Sequence, residues 1–233
     1  MNKALYNYRT IVEDVKEVHT HVRRSPGSSG WEKRTDLMSF LIYYFNLKTT
    51  LDLGVFTGGS LFPQAKIHNK YTGGVVYGVD PYTMDGMTHH DCNDPEFLKQ
   101  QQIRLNSINV EEIYQYILNL IKTLKYKNNI IFLRQSSIQA ISYFKENNIF
   151  FDLMSIDGSH DTKDVMSDIE LYVPRLNDKG FLVMDDINWN TVKPAYEEVK
   201  RQLSLVYEEY SFAVFRKSNE DVSELRTILG SLT

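Results

Sequence analysis

The chain has 233 residues, of which 42% are hydrophobic and 24% are charged, which is enough apolar material for the core of one domain. Its 26 Lys and Arg residues and 30 Asp and Glu residues give a net charge of −4, and no basic run is longer than the Arg23–Arg24 pair, so the composition argues against a nucleic-acid partner. The most apolar stretch, residues 37–47, is too short to cross a bilayer, which argues against a membrane protein. No apolar leader follows the N-terminus and Cys92 is the single cysteine, so we expect a cytoplasmic protein.

Two helices are predicted before residue 48. Apolar side chains between Leu5 and Val18 recur at intervals of three and four residues, which is typical of a helix with one buried face. Residues 23–30, RRSPGSSG, predict a loop, and residues 35–46 predict a second helix. We expect residues 1–48 to form a helical segment that acts as a lid, as a contact in a homodimer, or as both.

Five short apolar runs alternate with helical patterns in the rest of the chain. Strands that are apolar throughout and are separated by amphipathic helices indicate a parallel sheet with helices on both faces. Residues 204–208 and 212–217, joined by a short turn, predict an antiparallel hairpin at one edge of that sheet. The sequence therefore predicts an α/β fold with a Rossmann-like, doubly wound and mostly parallel sheet of seven strands. The five apolar runs cover residues 49–56, 75–80, 130–134, 151–157 and 181–186.

The longest segment without strand character is residues 81–128. In an open α/β sheet, ligands bind beyond the carboxyl ends of the strands, and an insertion after the second apolar run lies at that edge. We therefore expect residues 49–233 to form the main domain and residues 81–128 to form a lid or a substrate-binding insertion within it.

Aspartate ends three of the predicted strands. Asp80 follows the second apolar run, Asp157 the fourth, and Asp185 and Asp186 the fifth. A single Asp at such a position is commonly a helix cap or a turn residue. Four carboxylates at one edge of a sheet favour a ligand site instead, because ligands of open α/β folds bind there.

A glycine-rich turn ends the first apolar run, with the sequence DLGVFTGGS over residues 52–60. Glycine lets the backbone approach a ligand closely, and the N-terminus of the helix that follows favours an anionic group. The turn lacks the G-x-G-x-x-G spacing of dinucleotide-binding folds, which disfavours an oxidoreductase with a nicotinamide cofactor. Asp80, at the end of the next strand, is placed to accept hydrogen bonds from ribose hydroxyls.

Four segments, LDLGVFTGGS, VYGVDPY, DLMSIDGSH and GFLVMDDINW, resemble in order and separation the motifs of the class I S-adenosylmethionine-dependent methyltransferases. More narrowly, they are similar to metal-dependent O-methyltransferases of the catechol and macrolide-sugar types. The resemblance covers residues 50–190 and implies that the cofactor is S-adenosylmethionine and that residues 49–233 are a methyltransferase domain. The cofactor-binding residues that it implies are Asp52, Gly54, Phe56, Gly58 and Ser60 for the methionine part, Asp80 for the ribose, Ser136 and Ser137 beside the adenine, and Asp157.

Two of these assignments have alternatives. A Glu is common in the family where Asp52 stands, so the shorter side chain is a small departure from the pattern. Ser136 or Ser137 could instead be an ordinary cap of the helix that follows the third apolar run.

The resemblance also implies a metal site at Asp157, Asp185 and Asp186, although catechol-type enzymes often have Asn at the last position. Three carboxylates at one edge would repel each other and raise one another's pKa unless a cation lies among them. Oxygen ligands without a required Cys or His favour a hard ion, so we expect Mg²⁺, with Ca²⁺ and Mn²⁺ as alternatives. Three solvated loop acids without an ion are the other interpretation.

His160 follows Asp157 by three residues and decides between the two types of enzyme. The catechol type has Lys at this position and the sugar type has His. Because a neutral imidazole is available near pH 7, we expect His160 to be the catalytic base rather than a helix-start residue. The predicted function is methyl transfer to a hydroxyl of a sugar, on a nucleotide sugar, a glycan or a glycosylated metabolite. The alternatives are a catechol-like or other small-molecule hydroxyl, and a non-catalytic partner protein with the methyltransferase fold.

Two further groups of residues invite a functional interpretation. Residues 89–92, HHDC, could suggest zinc, but adjacent side chains rarely converge on one ion and no second Cys/His cluster completes a tetrahedron. We interpret this segment as part of a lid or substrate loop. Trp31, Tyr82 and Trp189 flank the motifs and are expected to form apolar or sugar-stacking walls, or else part of the core.

Overall fold

A seven-stranded sheet forms the centre of the computed structural model, which describes residues 3–22, 32–87, 90–91 and 94–232. The strands are β1 (Thr49–Leu53), β2 (Val75–Val79), β3 (Ile130–Leu133), β4 (Phe151–Ile156), β5 (Leu176–Met184), β6 (Ser204–Glu208) and β7 (Ala213–Arg216). The first five strands pair in parallel, and the last two form an antiparallel hairpin.

The strand order is β3-β2-β1-β4-β5-β7-β6. The chain winds from β1 outward to β3, and then returns to place β4 and β5 on the other side of β1. A sheet of this kind has a ligand crevice outside the carboxyl ends of the strands where the winding changes direction, here between β1 and β4. The predicted Rossmann-like α/β fold is confirmed, as is the C-terminal hairpin, whose second strand pairs with β5.

Helices cover both faces of the sheet. The described residues form α1 (Lys3–Val22), α2 (Glu32–Tyr44), α3 (Leu61–Ile67), α4 (Pro95–Asn106), α5 (Val110–Thr123), α6 (Ser137–Glu146), α7 (Thr162–Tyr172), α8 (Lys193–Gln202) and α9 (Ser223–Gly230). Phe144 of α6 and Ile169 of α7 are fully buried in the cluster on one face, and Ile11 of α1 and Phe40 of α2 are fully buried on the other. None of the helices in these ranges has the length and apolar character that a bilayer crossing requires.

Helix α5 shows how local sequence sets these boundaries. The Asn109 side chain accepts a hydrogen bond from the backbone N–H of Glu112 at 3.2 Å and so caps the first turn. Ile113, Ile117 and Leu120 follow at helical spacing and are buried. The helical pattern predicted for this part of the chain is therefore present.

The two N-terminal helices belong to the same core as the sheet. α1 and α2 pack against each other and against α3, and their buried side chains share a cluster with Leu153 of β4 and Phe181 of β5. A buried pair joins them, since His19 Nε2 lies 2.9 Å from Asp36 Oδ1. This packing brings the start of α2 to the carboxyl edge of the sheet.

Candidate active site

A cavity of about 670 Å³ opens at the carboxyl ends of β1, β2 and β4. Helices α2, α4, α6 and α7 and the loops after β2, β4 and β5 contribute the rest of its wall. In the described part of the chain, Asp52, Gly58 and Asp185 are buried and do not line it. The predicted site residues that do line it are Gly54, Phe56, Ser60, Asp80, Ser136, Ser137, Asp157, His160 and Asp186.

Two glycines shape the turn that follows β1. Gly54, with φ of 86°, and Gly58, with φ of 84°, have left-handed conformations that residues with a side chain rarely adopt. A Cβ atom on Gly54 would lie 1.9 Å from the carbonyl oxygen of Asp157, so the turn touches the loop after β4 through bare backbone. The backbone itself therefore requires glycine at Gly54, independently of any ligand.

Asp52 is fully buried beneath this turn. The Ser60 hydroxyl donates a hydrogen bond to its Oδ2 at 2.7 Å, while Oδ1 has no hydrogen-bond partner among the described residues. Burial raises the pKa of Asp52 to about 7, and the Ser60 bond and the charge of Arg34 only partly oppose this. Asp52 and Ser60 thus join the end of β1 to the start of α3.

Asp80 connects the end of β2 to the same turn. Its Oδ2 accepts a hydrogen bond from the Phe56 N–H at 2.8 Å, and its Oδ1 accepts one from the Tyr82 N–H at 2.7 Å. Burial raises the pKa of Asp80 even though these bonds favour the ionised form. Phe56 and Tyr82 have φ of 44° and 49°, so the carboxylate holds backbone in the left-handed region on both sides.

The two serines after β3 have different partners. Ser136 is the N-cap of α6: its side chain accepts a hydrogen bond from the Gln139 N–H at 3.3 Å, and the Gln139 side chain accepts one from the Ser136 N–H at 3.0 Å. This reciprocal pair is a capping box, the alternative that the sequence left open for this residue. Ser137 instead accepts a hydrogen bond at its carbonyl oxygen from the Tyr172 hydroxyl at 2.7 Å. Asp168 of α7, a buried acid that the sequence motifs did not indicate, lines the same part of the cavity.

His160 and Asp186 form a hydrogen-bonded pair at the cavity wall. His160 Nε2 lies 2.5 Å from Asp186 Oδ2, and the imidazole packs on Trp189 with the ring centroids 4.7 Å apart. Burial opposes protonation of His160, but the contact with Asp186 outweighs it, so the pKa of His160 is raised. The motifs predict a base and a separate metal ligand here, and the structure brings the two into contact.

Arg34 of α2 is a site residue that no motif indicated. Its side chain is 3% exposed, its Nη2 atom lies 2.6 Å from Asp157 Oδ2, and its Nη1 atom forms an ion pair with Asp185. Burial and the charge of Asp157 raise the pKa of Asp185 to about 7, and Arg34 opposes this shift. Arg34 precedes Asp157 by 123 residues, so no local sequence pattern links the two.

Three side chains offer ligand atoms that lie within 4.8 Å of one another: Asp157, His160 and Asp186. The metal set that the resemblance implies has Asp185 in place of His160, and Asp185 is paired with Arg34. Arg34 is hydrogen-bonded to one oxygen of Asp157, and His160 is hydrogen-bonded to one oxygen of Asp186. The other oxygen of each carboxylate could therefore bind a metal ion. Carboxylate oxygens suit Mg²⁺ and Mn²⁺, and an added imidazole suits a transition metal, so the donor set fits a divalent ion.

Of the three aromatic residues predicted to form walls of the site, Tyr82 and Trp189 belong to the described residues. Tyr82 lines the cavity but is 4% exposed, and its ring lies 5.3 Å from that of Tyr114, so it also belongs to the core. Trp189 lines the cavity beside His160.

The segment around residue 90, predicted to be part of a lid or substrate loop, is attached to α7. Asp161 accepts hydrogen bonds from the backbone N–H groups of His90 and Asp91, which holds this part of the loop against the start of α7. Trp31, His89 and Cys92 lie outside the described residues.

A family model described as a methyltransferase domain matches residues 51–187, which is more than half of the chain. A curated relative, the uncharacterized protein R132 of Acanthamoeba polyphaga mimivirus, is 27% identical over 173 residues. The aligned part covers 71% of this chain and 66% of that protein, so the chain spans just under two thirds of the relative's length.

Solved structures of O-methyltransferases share the fold. NovP has a TM-score of 0.59 at 13% identity and covers 93% of this chain and 100% of its own. TomG from Streptomyces achromogenes, in complex with S-adenosylmethionine, has a TM-score of 0.56 at 10% identity, with 94% and 91% covered. An O-methyltransferase from Bacillus cereus, in complex with S-adenosylhomocysteine, has a TM-score of 0.55 at 11% identity, with 89% and 90% covered. The family match and the shared fold confirm the resemblance to class I S-adenosylmethionine-dependent methyltransferases.

Proposed function

The chain belongs to the methyltransferase domain family, and we propose that it transfers a methyl group from S-adenosylmethionine to a hydroxyl oxygen of a small-molecule acceptor. The observation that carries this proposal is that the residues expected to bind the cofactor and the expected catalytic base line the same cavity. Asp80 and the glycine-rich turn form one part of the wall, and the His160–Asp186 pair forms another. A cavity of about 670 Å³ is of the size that small-molecule sites have, so the methyl donor and the acceptor can meet there.

The cofactor is proposed to bind along the first two strand ends. Gly54, Phe56, Gly58 and Ser60, with Asp52 behind them, would hold the methionine part, because Gly54 presents bare backbone at the cavity wall and α3 begins at the end of this turn. Asp80 would hold the ribose, because its carboxylate lines the cavity at the end of β2 and can accept hydrogen bonds from hydroxyls. Ser136 and Ser137 would lie beside the adenine, and Asp157 would border the cofactor near the reacting methyl group.

His160 is proposed to take the proton from the acceptor hydroxyl. When its Nε2–H donates to Asp186, the neutral ring carries its lone pair on Nδ1, and this atom accepts the proton. Asp186 fixes the tautomer and stabilises the imidazolium that forms. S-adenosylmethionine supplies an electrophilic methyl group: the acceptor oxygen forms the new O–C bond as the S–C bond breaks, and S-adenosylhomocysteine leaves.

A divalent ion, with Mg²⁺ as the first choice, is proposed as the second cofactor. Asp157, Asp185 and Asp186 are the proposed ligands, and Asp185 would have to exchange its ion pair with Arg34 for the ion. Such an ion supplies a positive charge that lowers the pKa of an acceptor hydroxyl. Arg34 already supplies one positive charge to Asp157 and Asp185. Arg34 and the ion would therefore together neutralise the carboxylates at this edge of the sheet.

The proposed acceptor is a sugar hydroxyl, on a nucleotide sugar, a glycan or a glycosylated metabolite. A sugar hydroxyl has a higher pKa than a phenol and gains more from a dedicated base, and His at position 160 matches the sugar-modifying type. Trp189 lines the cavity beside His160, so an aromatic side chain would border a sugar ring bound there. A catechol-like or other small-molecule hydroxyl is the alternative acceptor, and a non-catalytic partner protein is the alternative role.

The proposed organisation follows from the same contacts. Residues 1–48 would act as a lid or dimer contact, which Arg34 supports because it reaches the cavity from α2. Residues 49–233 would form the methyltransferase domain and residues 81–128 its substrate insertion, which Gln101 and Arg104 support because they line the cavity from α4. The proposed compartment is the cytoplasm.

Methyl transfer from labelled S-adenosylmethionine to a panel of nucleotide sugars, glycosides and catechols tests the proposal. We expect turnover on at least one carbohydrate, loss of turnover in EDTA and its return with Mg²⁺. His160→Ala should lower turnover by roughly 10²- to 10⁴-fold while S-adenosylhomocysteine still binds. His21→Ala, which removes a histidine of α1, is the matched control and should stay within about twofold. Turnover on catechols alone would overturn the sugar assignment, and binding without any turnover would favour the non-catalytic role.

A further inference from the structure

Arg34 reaches the carboxylates of the cavity from α2, in the N-terminal helical segment. Its side chain is 3% exposed and lines the cavity, whereas Asp185 is buried and does not line it. The Nη2 atom of Arg34 donates a hydrogen bond to Asp157 Oδ2 at 2.6 Å, and its Nη1 atom forms an ion pair with Asp185 Oδ2. One guanidinium therefore holds two of the three carboxylates that are proposed to bind the divalent ion.

The two contacts of Arg34 are of different kinds. The contact with Asp157 is a hydrogen bond between charged groups, which is a strong class of hydrogen bond. On the side of Asp185, Nη1 is buried without a hydrogen-bond partner in the described part of the chain, as is Nε, so opposite charge alone attracts the two groups there. Arg34 can therefore release Asp185 more readily than Asp157.

Asp185 stands apart from the ligand atoms that already lie close together. Over the described ranges, the side chains with ligand atoms within 4.8 Å of one another are those of Asp157, His160 and Asp186. Asp185 is not part of this group, although it is the neighbour of Asp186 in the chain. For all three acids to hold one ion, Asp185 must therefore move toward this group and away from Arg34.

We propose that Arg34 competes with the divalent ion for these carboxylates, so that the protein binds the ion tightly only when Arg34 releases Asp185. This inference rests on the proposed metal cofactor and names the residue that controls the affinity of the site for it. An Arg side chain remains protonated in proteins, so Arg34 cannot lessen its repulsion of a cation by losing a proton. Two positive charges a few ångströms apart repel much more strongly in a buried site than in water.

Titration of Mn²⁺ into the wild type and Arg34→Met, followed by the electron paramagnetic resonance signal of the free ion, tests the competition. We expect Arg34→Met to bind Mn²⁺ at least about tenfold more tightly, because the competing charge is gone. Arg34→Lys keeps a positive charge and should stay within about threefold of the wild type. Lys33→Met is the matched control: it removes the charge of the neighbouring residue, which pairs with Glu209 at the surface, and it should also stay within about threefold.

A second measurement keeps the test decisive if Arg34→Met is too unstable to titrate. Mn²⁺ should raise the urea concentration at which Arg34→Met unfolds more than it does for the wild type, because an ion that binds only the folded protein stabilises it in proportion to its affinity. If Arg34→Met is unfolded without an ion, we expect Mn²⁺ to restore its circular dichroism spectrum. A variant that stays unfolded in Mn²⁺ would overturn the inference.

The outcomes separate this competition from the proposed function. If the wild type binds Mn²⁺ and Arg34→Met binds it equally or more weakly, the competition is overturned and the metal cofactor remains. If neither protein binds Mn²⁺, both the metal cofactor and the competition are overturned, while methyl transfer is decided by its own assay. Binding by Arg34→Met alone would support the inference in its strongest form, in which Arg34 excludes the ion.

Discussion

The amino and carboxyl edges of the sheet differ in how completely their polar side chains are hydrogen-bonded. At the amino edge, Asp152 accepts hydrogen bonds from the backbone N–H groups of Lys48 and Thr49 at 2.8 and 3.0 Å, and from the Asn177 amide at 2.8 Å. His68 is fully buried there, and its two ring nitrogens lie 3.0 Å from the Thr50 hydroxyl and 2.7 Å from the Thr72 hydroxyl. These groups have partners within the chain, as buried polar groups normally do.

At the carboxyl edge, the pairing is incomplete. Arg34, Asp52 and Asp168 each have a buried side-chain atom without a hydrogen-bond partner, and within the described ranges they are the charged residues of which this is true. Burial also raises the pKa of Asp52 and Asp168 to about 7. Charged residues that have a buried atom without a hydrogen-bond partner therefore lie at the carboxyl edge, where we propose that ligands bind, whereas Asp152 and His68 at the amino edge have partners.

The largest expected effect comes from removing the cation of the carboxyl edge. Arg34→Met leaves Asp157 and Asp185 buried without their partner, which should lower the free energy of unfolding by about 3–5 kcal/mol. Urea unfolding of the variant and the wild type measures this. Lys33→Met is the matched control: the neighbouring Lys33 pairs with Glu209 at the surface, where such a pair contributes about 0–1 kcal/mol. Equal losses in the two variants would contradict the buried role of Arg34.

At the amino edge, we expect the buried His68 to make the free energy of unfolding depend on pH. Burial lowers the pKa of His68 from 6.5 to about 4, so the unfolded chain takes up a proton at a higher pH than the folded protein does. The contribution of His68 is therefore fully present above pH 6.5 and is lost as the pH falls toward about 4, by about 3 kcal/mol. Urea unfolding as a function of pH measures this slope. His68→Gln should flatten it, and a slope unchanged in that variant would assign it to other groups.

The smallest expected effect concerns a ligand rather than the fold. Asp80→Ala should weaken S-adenosylhomocysteine binding by about 1.5–3 kcal/mol, the range for hydrogen bonds to a charged group. Isothermal titration measures the affinity, and circular dichroism checks that the variant folds. Asp178→Ala, which removes an exposed carboxylate of β5 that does not line the cavity, is the control and should bind nearly as the wild type does. An unchanged affinity in Asp80→Ala would remove the ribose assignment.

The fold was predictable because its strands are short and apolar. The runs at residues 75–80 and 130–134 match β2 and β3 closely. β5 begins at Leu176, five residues before the predicted run, because its first half contains polar residues of which Asp178 and Lys179 are exposed. A hydrophobic pattern detects the buried half of such a strand and misses the rest.

The site was predictable only where its contacts are local. The glycine-rich turn and Asp80 were visible because each motif occupies consecutive residues at a strand end. Arg34 was not, since its partners lie more than a hundred residues away and no local pattern announces them. The contact between His160 and Asp186 was also not predictable from local sequence. Both residues belong to recognisable motifs, but their pairing depends on how the loops after β4 and β5 meet.

The close approach at Gly54 limits how this protein can evolve. Its backbone lies against the Asp157 carbonyl, where any Cβ atom would be 1.9 Å from oxygen. Every single-nucleotide change in a glycine codon that is not silent introduces a residue with a Cβ atom or a stop codon, so no one-step substitution at this position preserves the contact. We therefore expect the loops after β1 and β4 to change together among descendants of this sequence, because an insertion in one would disturb the backbone contact with the other.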